Sequence, residues 1–305
     1  MNSKIQVSAW GIRHNLGPIS LPVRTATGEI QWIKVTEGEK NVPLTNVPNH
    51  LRATFGVTGM EIPDWFLRQA DAKERRMFSE ALLEEGVTLG NVTLDGSFAG
   101  DGNAVYRAQD LVDLKQSVDR VAEVGGKAAR VNLLPPGIVD CGSAATFQEV
   151  VDAVRDLRDH ASSRGVELLI ENHCELTDTA EKIAHFRDAV GPGLGLILDT
   201  GNISPIQDEI LRSFKTKTEP RDIEDTEEAF AFLEQMLPFA SRVHVKTYGF
   251  HDDGRPAVYD QERAIQLITR SGFSGPIAIE CASFDPPKVY PAITRTVQML
   301  EAELA

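Results

Sequence analysis

The run Val166-Glu167-Leu168-Leu169-Ile170-Glu171-Asn172-His173 reads as a strand that is apolar through its middle and polar at its end. Side chains alternate along a strand, so Leu169, Glu171 and His173 share one face. The same pattern recurs downstream. In residues 195–199, Leu196 and Leu198 take one face while Ile197 and Asp199 take the other. In residues 242–248, Val243 and Val245 oppose His244 and Lys246, and in residues 276–281, Ile277 and Ile279 oppose Ala278 and Glu280. Further strands are read at residues 4–10, 57–62, 87–94 and 128–133. Between them run helical patterns. Phe147, Val150, Val151, Val154, Leu157 and Ala161 mark one helix face. Residues 71–85 carry Met77, Ala81 and Leu82 against a charged face and stop at Gly86, and residues 226–237 open on a Thr226 cap. Strands that alternate with helices pair in parallel, because each crossover lays a helix on the sheet. Eight such strands in 305 residues predict one α/β domain, residues 1–305, folded as a (β/α)8 TIM barrel.

Composition narrows the function classes. Hydrophobic residues make up 42 % of the chain and charged residues 25 %, an ordinary globular balance. The net charge of −14 opposes phosphate backbones and argues against nucleic acid as a partner. No apolar run reaches membrane-spanning length, residues 1–6 lack an apolar signal core, and three scattered cysteines (Cys141, Cys174, Cys281) form no disulfide or zinc framework. A reducing cytoplasm is the expected compartment. Two segments exceed a minimal repeat. Residues 11–50 contain a hairpin pattern, 19–24 and 29–35 around Ala26-Thr27-Gly28, and residues 204–225 form a polar stretch. Both leave the C-terminal ends of strands, where a barrel keeps its active site, and are expected to act as lid or specificity loops. The hairpin is alternatively a subunit contact in a homo-oligomer.

Strand parity points Glu171, Asp199, His244 and Glu280 into the barrel from four consecutive strands. Three carboxylates buried together cost several kcal/mol, about what a bound cation would relieve. One nitrogen and three oxygen ligands suit a single Mn²⁺, Mg²⁺ or Co²⁺, with Zn²⁺ a further candidate. The plainer reading makes each acid a core ion-pair partner of Arg130 or Lys246, but no single lysine balances three acids.

Leu169-Ile170-Glu171-Asn172-His173, Leu198-Asp199-Thr200-Gly201-Asn202, Val243-His244-Val245-Lys246 and Ile277-Ala278-Ile279-Glu280 together resemble the sugar phosphate isomerase/epimerase family of xylose-isomerase-like barrels. The four acid or histidine positions follow one another at intervals of 28, 45 and 36 residues. The resemblance implies that Glu171, Asp199, His244 and Glu280 ligate the metal, and that Glu171 and Glu280 move a proton on a carbohydrate through a cis-enediolate. The chain departs from that pattern at Asn202, where ketose epimerases commonly carry histidine, and at the polar residues of its fourth strand, Arg130 and Asn132. Substrate-binding candidates are His173, Lys246, Arg130, Asn202 and Trp10, the last able to stack on a sugar ring. Against these stand plainer roles: His173 as a hydrogen-bond partner, Lys246 as an ion-pair partner and Trp10 as core. Three other readings stay open. A lyase or dehydratase would use the same site to expel a β-substituent from a keto-sugar, keto-inositol or 3-keto-glycoside. An apurinic-site endonuclease shares the fold, and a sugar-binding barrel would need no catalysis.

Overall fold

The protein is described by a computed structural model covering residues 4–24, 30–94, 104–133, 144–173, 176–216, 218–283 and 285–305. Strand β1 (Ile5–Ser8) leads into an antiparallel hairpin, β2 (Ile19–Arg24) and β3 (Ile30–Thr36). Then come β4 (Gly59–Pro63), β5 (Thr88–Leu94), β6 (Ala128–Val131), β7 (Glu167–Glu171), β8 (Leu194–Asp199), β9 (Arg242–Thr247) and β10 (Ile277–Cys281). All but the hairpin pair in parallel, and β1 lies between β10 and β4, which closes the barrel. The expected strands all form, most of them shortened where their polar ends leave the sheet. Around the barrel run α1 (Val47–Phe55), α2 (Asp64–Gln69), α3 (Ala72–Glu84), α4 (Ala104–Glu123), α5 (Ala144–Ser163), α6 (Ala180–Val190), α7 (Ile206–Thr216), α8 (Glu227–Met236), α9 (Gln261–Arg270) and α10 (Pro286–Glu303).

Each layer follows from the residues. The α5 stripe of Val150, Val151, Val154, Leu157 and Ala161 is fully buried against the sheet, and a valine or leucine so buried is worth roughly 1.5–3 kcal/mol. Inside the barrel, Ala128, Leu169 and Ile197 form a small apolar plug separate from the main core. Above that plug the inward side chains become charged. The turn expected at residues 26–28 lies outside the described residues, as do Cys141 and Cys174; Cys281 is a buried free thiol.

Three expectations are corrected. Met77 is 43 % exposed; the buried pair on α3 is Phe78 and Leu82, one turn apart, so the helix face is rotated by one residue. Thr226 makes no side-chain cap on α8, where Asp225 Oδ1 instead accepts the Glu227 N–H at 3.2 Å. Residues 204–225 are not an open loop. They hold α7, whose Ile206, Glu209 and Ser213 are buried. Glu209 gathers this segment by accepting Arg212 Nε at 2.8 Å, the Arg221 N–H at 2.7 Å and Arg221 Nη2 at 2.9 Å. The arginines hold its carboxyl far below its ordinary 4.5, the bonds from Arg212 contributing most. A depressed carboxyl stabilises above that ordinary value and loses its contribution as pH falls toward the folded value. Glu209→Gln should therefore speed proteolytic cleavage within residues 204–225 at pH 7 with little change in the melting temperature. The wild type should show the same loosening only in acid, and equal cleavage of both proteins at pH 7 would refute this.

Candidate metal centre

Parallel register assembles the charged layer. Asp199 pairs with His244, Ala278 with His244, and Glu280 with Lys246, so β8, β9 and β10 end at nearly one level. Glu171 closes β7 beside them. The four sequence-predicted ligands meet: one ligand atom from each of Glu171, Asp199, His244 and Glu280 lies within 4.8 Å of all the others. His244 Nδ1 stands 2.9 Å from Glu171 Oε1, 3.4 Å from Glu280 Oε2 and 3.7 Å from Asp199 Oδ2.

Backbone and neighbouring side chains fix these atoms. The Asn172 amide extends the sheet beyond its last rung, accepting the Asp199 N–H at 2.7 Å and donating to the Asp199 carbonyl at 2.9 Å. Asp199 Oδ1 accepts the N–H groups of Gly201 and Asn202 at 2.7 and 3.1 Å, which leaves Oδ2 to face the cluster. Thr200 Oγ1 accepts the Lys246 N–H at 3.0 Å, while Tyr259 Oη and Gln261 Nε2 donate to the Lys246 carbonyl at 2.6 and 3.0 Å. Gly201 is required beside this lysine, since a Cβ there would lie 2.7 Å from Lys246 Cβ and Cγ and 2.6 Å from Tyr248 Oη.

Electrostatics show how the cluster is balanced. Burial pushes the Glu171 carboxyl up, but Arg130 and His244 outweigh it and hold it well below the usual carboxylate range. Burial likewise opposes ionisation of Glu280, and Lys246 with His244 overcomes it. His244 itself is driven well above its ordinary value despite burial, chiefly by Glu61 and then by the three clustered acids. Lys246 Nζ lies 2.9 Å from Asp199 Oδ2 and 3.0 Å from Glu280 Oε2, and Arg130 Nη1 lies 3.4 Å from Glu171 Oε2. The ion-pair reading is thus correct for part of the charge. Among the described residues, four buried or nearly buried carboxylates (Glu61, Glu171, Asp199, Glu280) face the permanent cations Arg130 and Lys246 directly, with Arg13 further from Glu280. The acids outnumber these cations when His244 is neutral. Both Glu171 oxygens, Asp199 Oδ2 and His244 Nδ1 are buried and make no well-directed hydrogen bond, their contacts being ion pairs with Arg130, Lys246 and one another. Buried ligand atoms that converge on one point in this way fit a bound cation.

The other candidates sort differently. His173 lies two residues beyond β7; burial lowers its ring below its ordinary value, Glu171 opposes this, Arg130 and Lys246 reinforce it, and Glu280 opposes it, so it borders the cluster. Arg130 reaches Glu171 and also donates to Asn132 Oδ1. Asn202 is buried with its Nδ2 unpaired. Trp10 is half-buried and carries the Arg13 guanidinium 5.0 Å over its ring, while Arg13 donates to the carbonyls of Trp10 and Ser283 at 3.1 and 3.3 Å. That ties the segment after β1 to the one after β10. Sequence reasoning gave no role to Glu61, whose Oε2 stands 3.0 Å from His244 Nε2, nor to Asn172 and Asn91. The inward parity of Glu61 between Met60 and Ile62 was the available signal.

No helix among the described residues is long and apolar enough to cross a membrane. No curated protein matches the sequence. Among solved structures, an L-ribulose 3-epimerase is 14 % identical with a TM-score of 0.69, the match covering 99 % of this chain and 96 % of that one. A D-allulose 3-epimerase from Methylomonas sp. in complex with D-allulose is 15 % identical with a TM-score of 0.65, over 98 % and 96 % of the two chains. A xylose isomerase-like TIM barrel protein from Mycobacterium smegmatis in complex with magnesium is 19 % identical with a TM-score of 0.62, over the full length of both. At these identities the likeness is one of fold. The sequence profile of one family, however, matches residues 51–300, and by that match the chain belongs to the xylose isomerase-like TIM barrel family.

Proposed function

We propose that this chain is a divalent-metal-dependent epimerase or isomerase of a carbonyl sugar. The single observation that carries this reading is the convergence of buried ligand atoms from Glu171, Asp199, His244 and Glu280 on one point. Those four residues would hold the ion. When bound, it supplies the positive charge that acidifies a C–H beside a carbonyl and stabilises the anion left behind. The protein supplies the rest. Glu171 and Glu280 are ionised at neutral pH, so either can take the proton from carbon. In an isomerisation that carboxyl, now protonated, returns it to the adjacent carbon. In an epimerisation it passes the proton to solvent, and the opposite carboxylate takes one from solvent before delivering it to the other face. Lys246, already placed against Asp199 and Glu280, donates to a substrate oxygen, and Arg130, His173 and Asn202 line the same end of the barrel as hydroxyl partners. Likeness to structures of L-ribulose and D-allulose 3-epimerases supports this choice among the chemistries that the fold carries.

The test is incubation of manganese-loaded protein in heavy water with free ketoses, ketose phosphates and 3-keto-glycosides, read by NMR and mass spectrometry. The expected result is deuterium at the carbon beside the carbonyl, together with an epimeric or isomeric product. Loss of water or of an aglycone assigns the elimination reaction instead. Absence of exchange with every carbonyl sugar, in folded and metal-loaded protein, overturns the proposal.

A further inference from the structure

Glu61 enters the barrel from β4, two strands round the wall from β10 and three from β9, and reaches across the interior to His244. It is 2 % exposed, and it meets the ring nitrogen remote from the cluster, Nε2, at 3.0 Å, while Nδ1 faces Glu171, Asp199 and Glu280. A second residue holds it there. Asn91, fully buried, donates from Nδ2 to the same Glu61 oxygen at 3.2 Å. A slip in strand pairing brings the two together. Met60 pairs with Leu89, but Glu61 pairs with Asn91, so Gly90 is an extra residue in β5. A Cβ at Gly90 would meet the Gln6 amide, so the glycine leaves that side chain its place. The bulge therefore lets consecutive β5 residues serve the interior: Gly90 makes room for Gln6, and Asn91 braces Glu61.

We propose that Glu61, braced by Asn91, is the positioning residue of His244: its carboxylate accepts the Nε2 proton and so turns a bare Nδ1 toward the ligand cluster. Imidazole offers a metal one nitrogen at a time, and the hydrogen bond made by the other decides which. A carboxylate in that role also makes the ring a stronger donor, and losing such a partner typically weakens metal binding about 10- to 100-fold. Glu61 makes no bond in the proposed reaction. This inference rests on the reading of the cluster as a metal centre.

Manganese affinity and the ring N–H resonances of His244 in ¹⁵N-histidine-labelled protein, metal-free and magnesium-loaded, test it. Glu61→Leu should bind manganese about 10- to 100-fold more weakly and lose the slowly exchanging Nε2 proton signal. Glu61→Gln, which keeps an acceptor of the same shape, should fall between and shift that signal. Wild-type manganese affinity in folded Glu61→Leu overturns the proposal. Should that variant not fold, an unmoved Nε2–H resonance in Glu61→Gln overturns it. A wild-type chain that binds manganese but exchanges no sugar proton removes the proposed function and leaves the role of Glu61 intact. The resonance in metal-free protein decides that role even if no metal binds.

Discussion

Glu171→Gln and Glu280→Gln should each slow metal-dependent C–H exchange by at least about 10²-fold, the usual worth of a positioned acid or base. The substitution keeps the shape of the side chain and removes the charge that receives the proton. Arg130 stands 3.4 Å from Glu171, and Lys246 stands 3.0 Å from Glu280, so each glutamine leaves a cation without its partner. That argues for measuring exchange at saturating manganese, with circular dichroism to confirm the fold, so that loss of chemistry is separated from loss of metal. Because Arg130, Lys246 and His244 hold both carboxyls below their ordinary range, the base form persists down to acid pH. Exchange at the wild-type rate in either variant would place the proton transfer on other groups.

Asp199→Asn should cost the protein its stoichiometric metal while sparing the turn around it. The amide oxygen can keep the N–H bonds of Gly201 and Asn202 that Oδ1 now accepts, which leaves the amide nitrogen where Oδ2 faces the cluster. A hydrogen-bond donor there repels a cation. Elemental analysis after manganese reconstitution should find one ion per wild-type chain and none in the variant. In the wild type, manganese at a hundred times its dissociation constant should add about 2.7 kcal/mol, so chelation should lower the melting temperature by about 5 °C. Proton linkage gives a further signature. His244 is driven well above its ordinary 6.5 in the metal-free cluster, so at neutral pH it carries a proton that binding must expel. Apparent affinity should therefore rise by about tenfold per pH unit through neutrality. Calorimetry in buffers of different ionisation enthalpy measures the released proton directly, and a flat pH dependence would contradict this account.

The barrel and its four clustered acid and histidine side chains were legible because both depend on a strict period. Alternation in β7, β8, β9 and β10 sends Glu171, Asp199, His244 and Glu280 inward whatever the loops do. What stayed hidden depends on breaks in period or on distant partners. Asn91 joins the interior through a slipped register that no local pattern announces. Glu209 folds residues 204–225 by bonding to arginines before and after a polar stretch, so composition suggested a loop where the chain makes a helix. Met77 and Phe78 are both apolar neighbours, and only contact with the sheet decides which of them faces in. Lys246 was ambiguous between substrate and ion-pair roles because one side chain satisfies both descriptions; its bonds to Asp199 and Glu280 place it where either role begins.

The side-chain rungs at the rim have an evolutionary consequence. Asn172 ties itself to the backbone of Asp199, and Thr200 ties itself to the backbone of Lys246, one place beyond where the peptide ladder stops. Three of the strand ends that carry the site, those of β7, β8 and β9, are thereby fastened to one another by residues of their own immediate neighbourhood. The chain that follows is then free to lengthen, to fold up as α7 does, or to diverge in sequence without unseating them. Variation and conservation are mechanically decoupled at this edge. A barrel built this way can exchange its rim in the manner of interchangeable tooling, acquiring a new clientele while its chemistry is inherited unchanged.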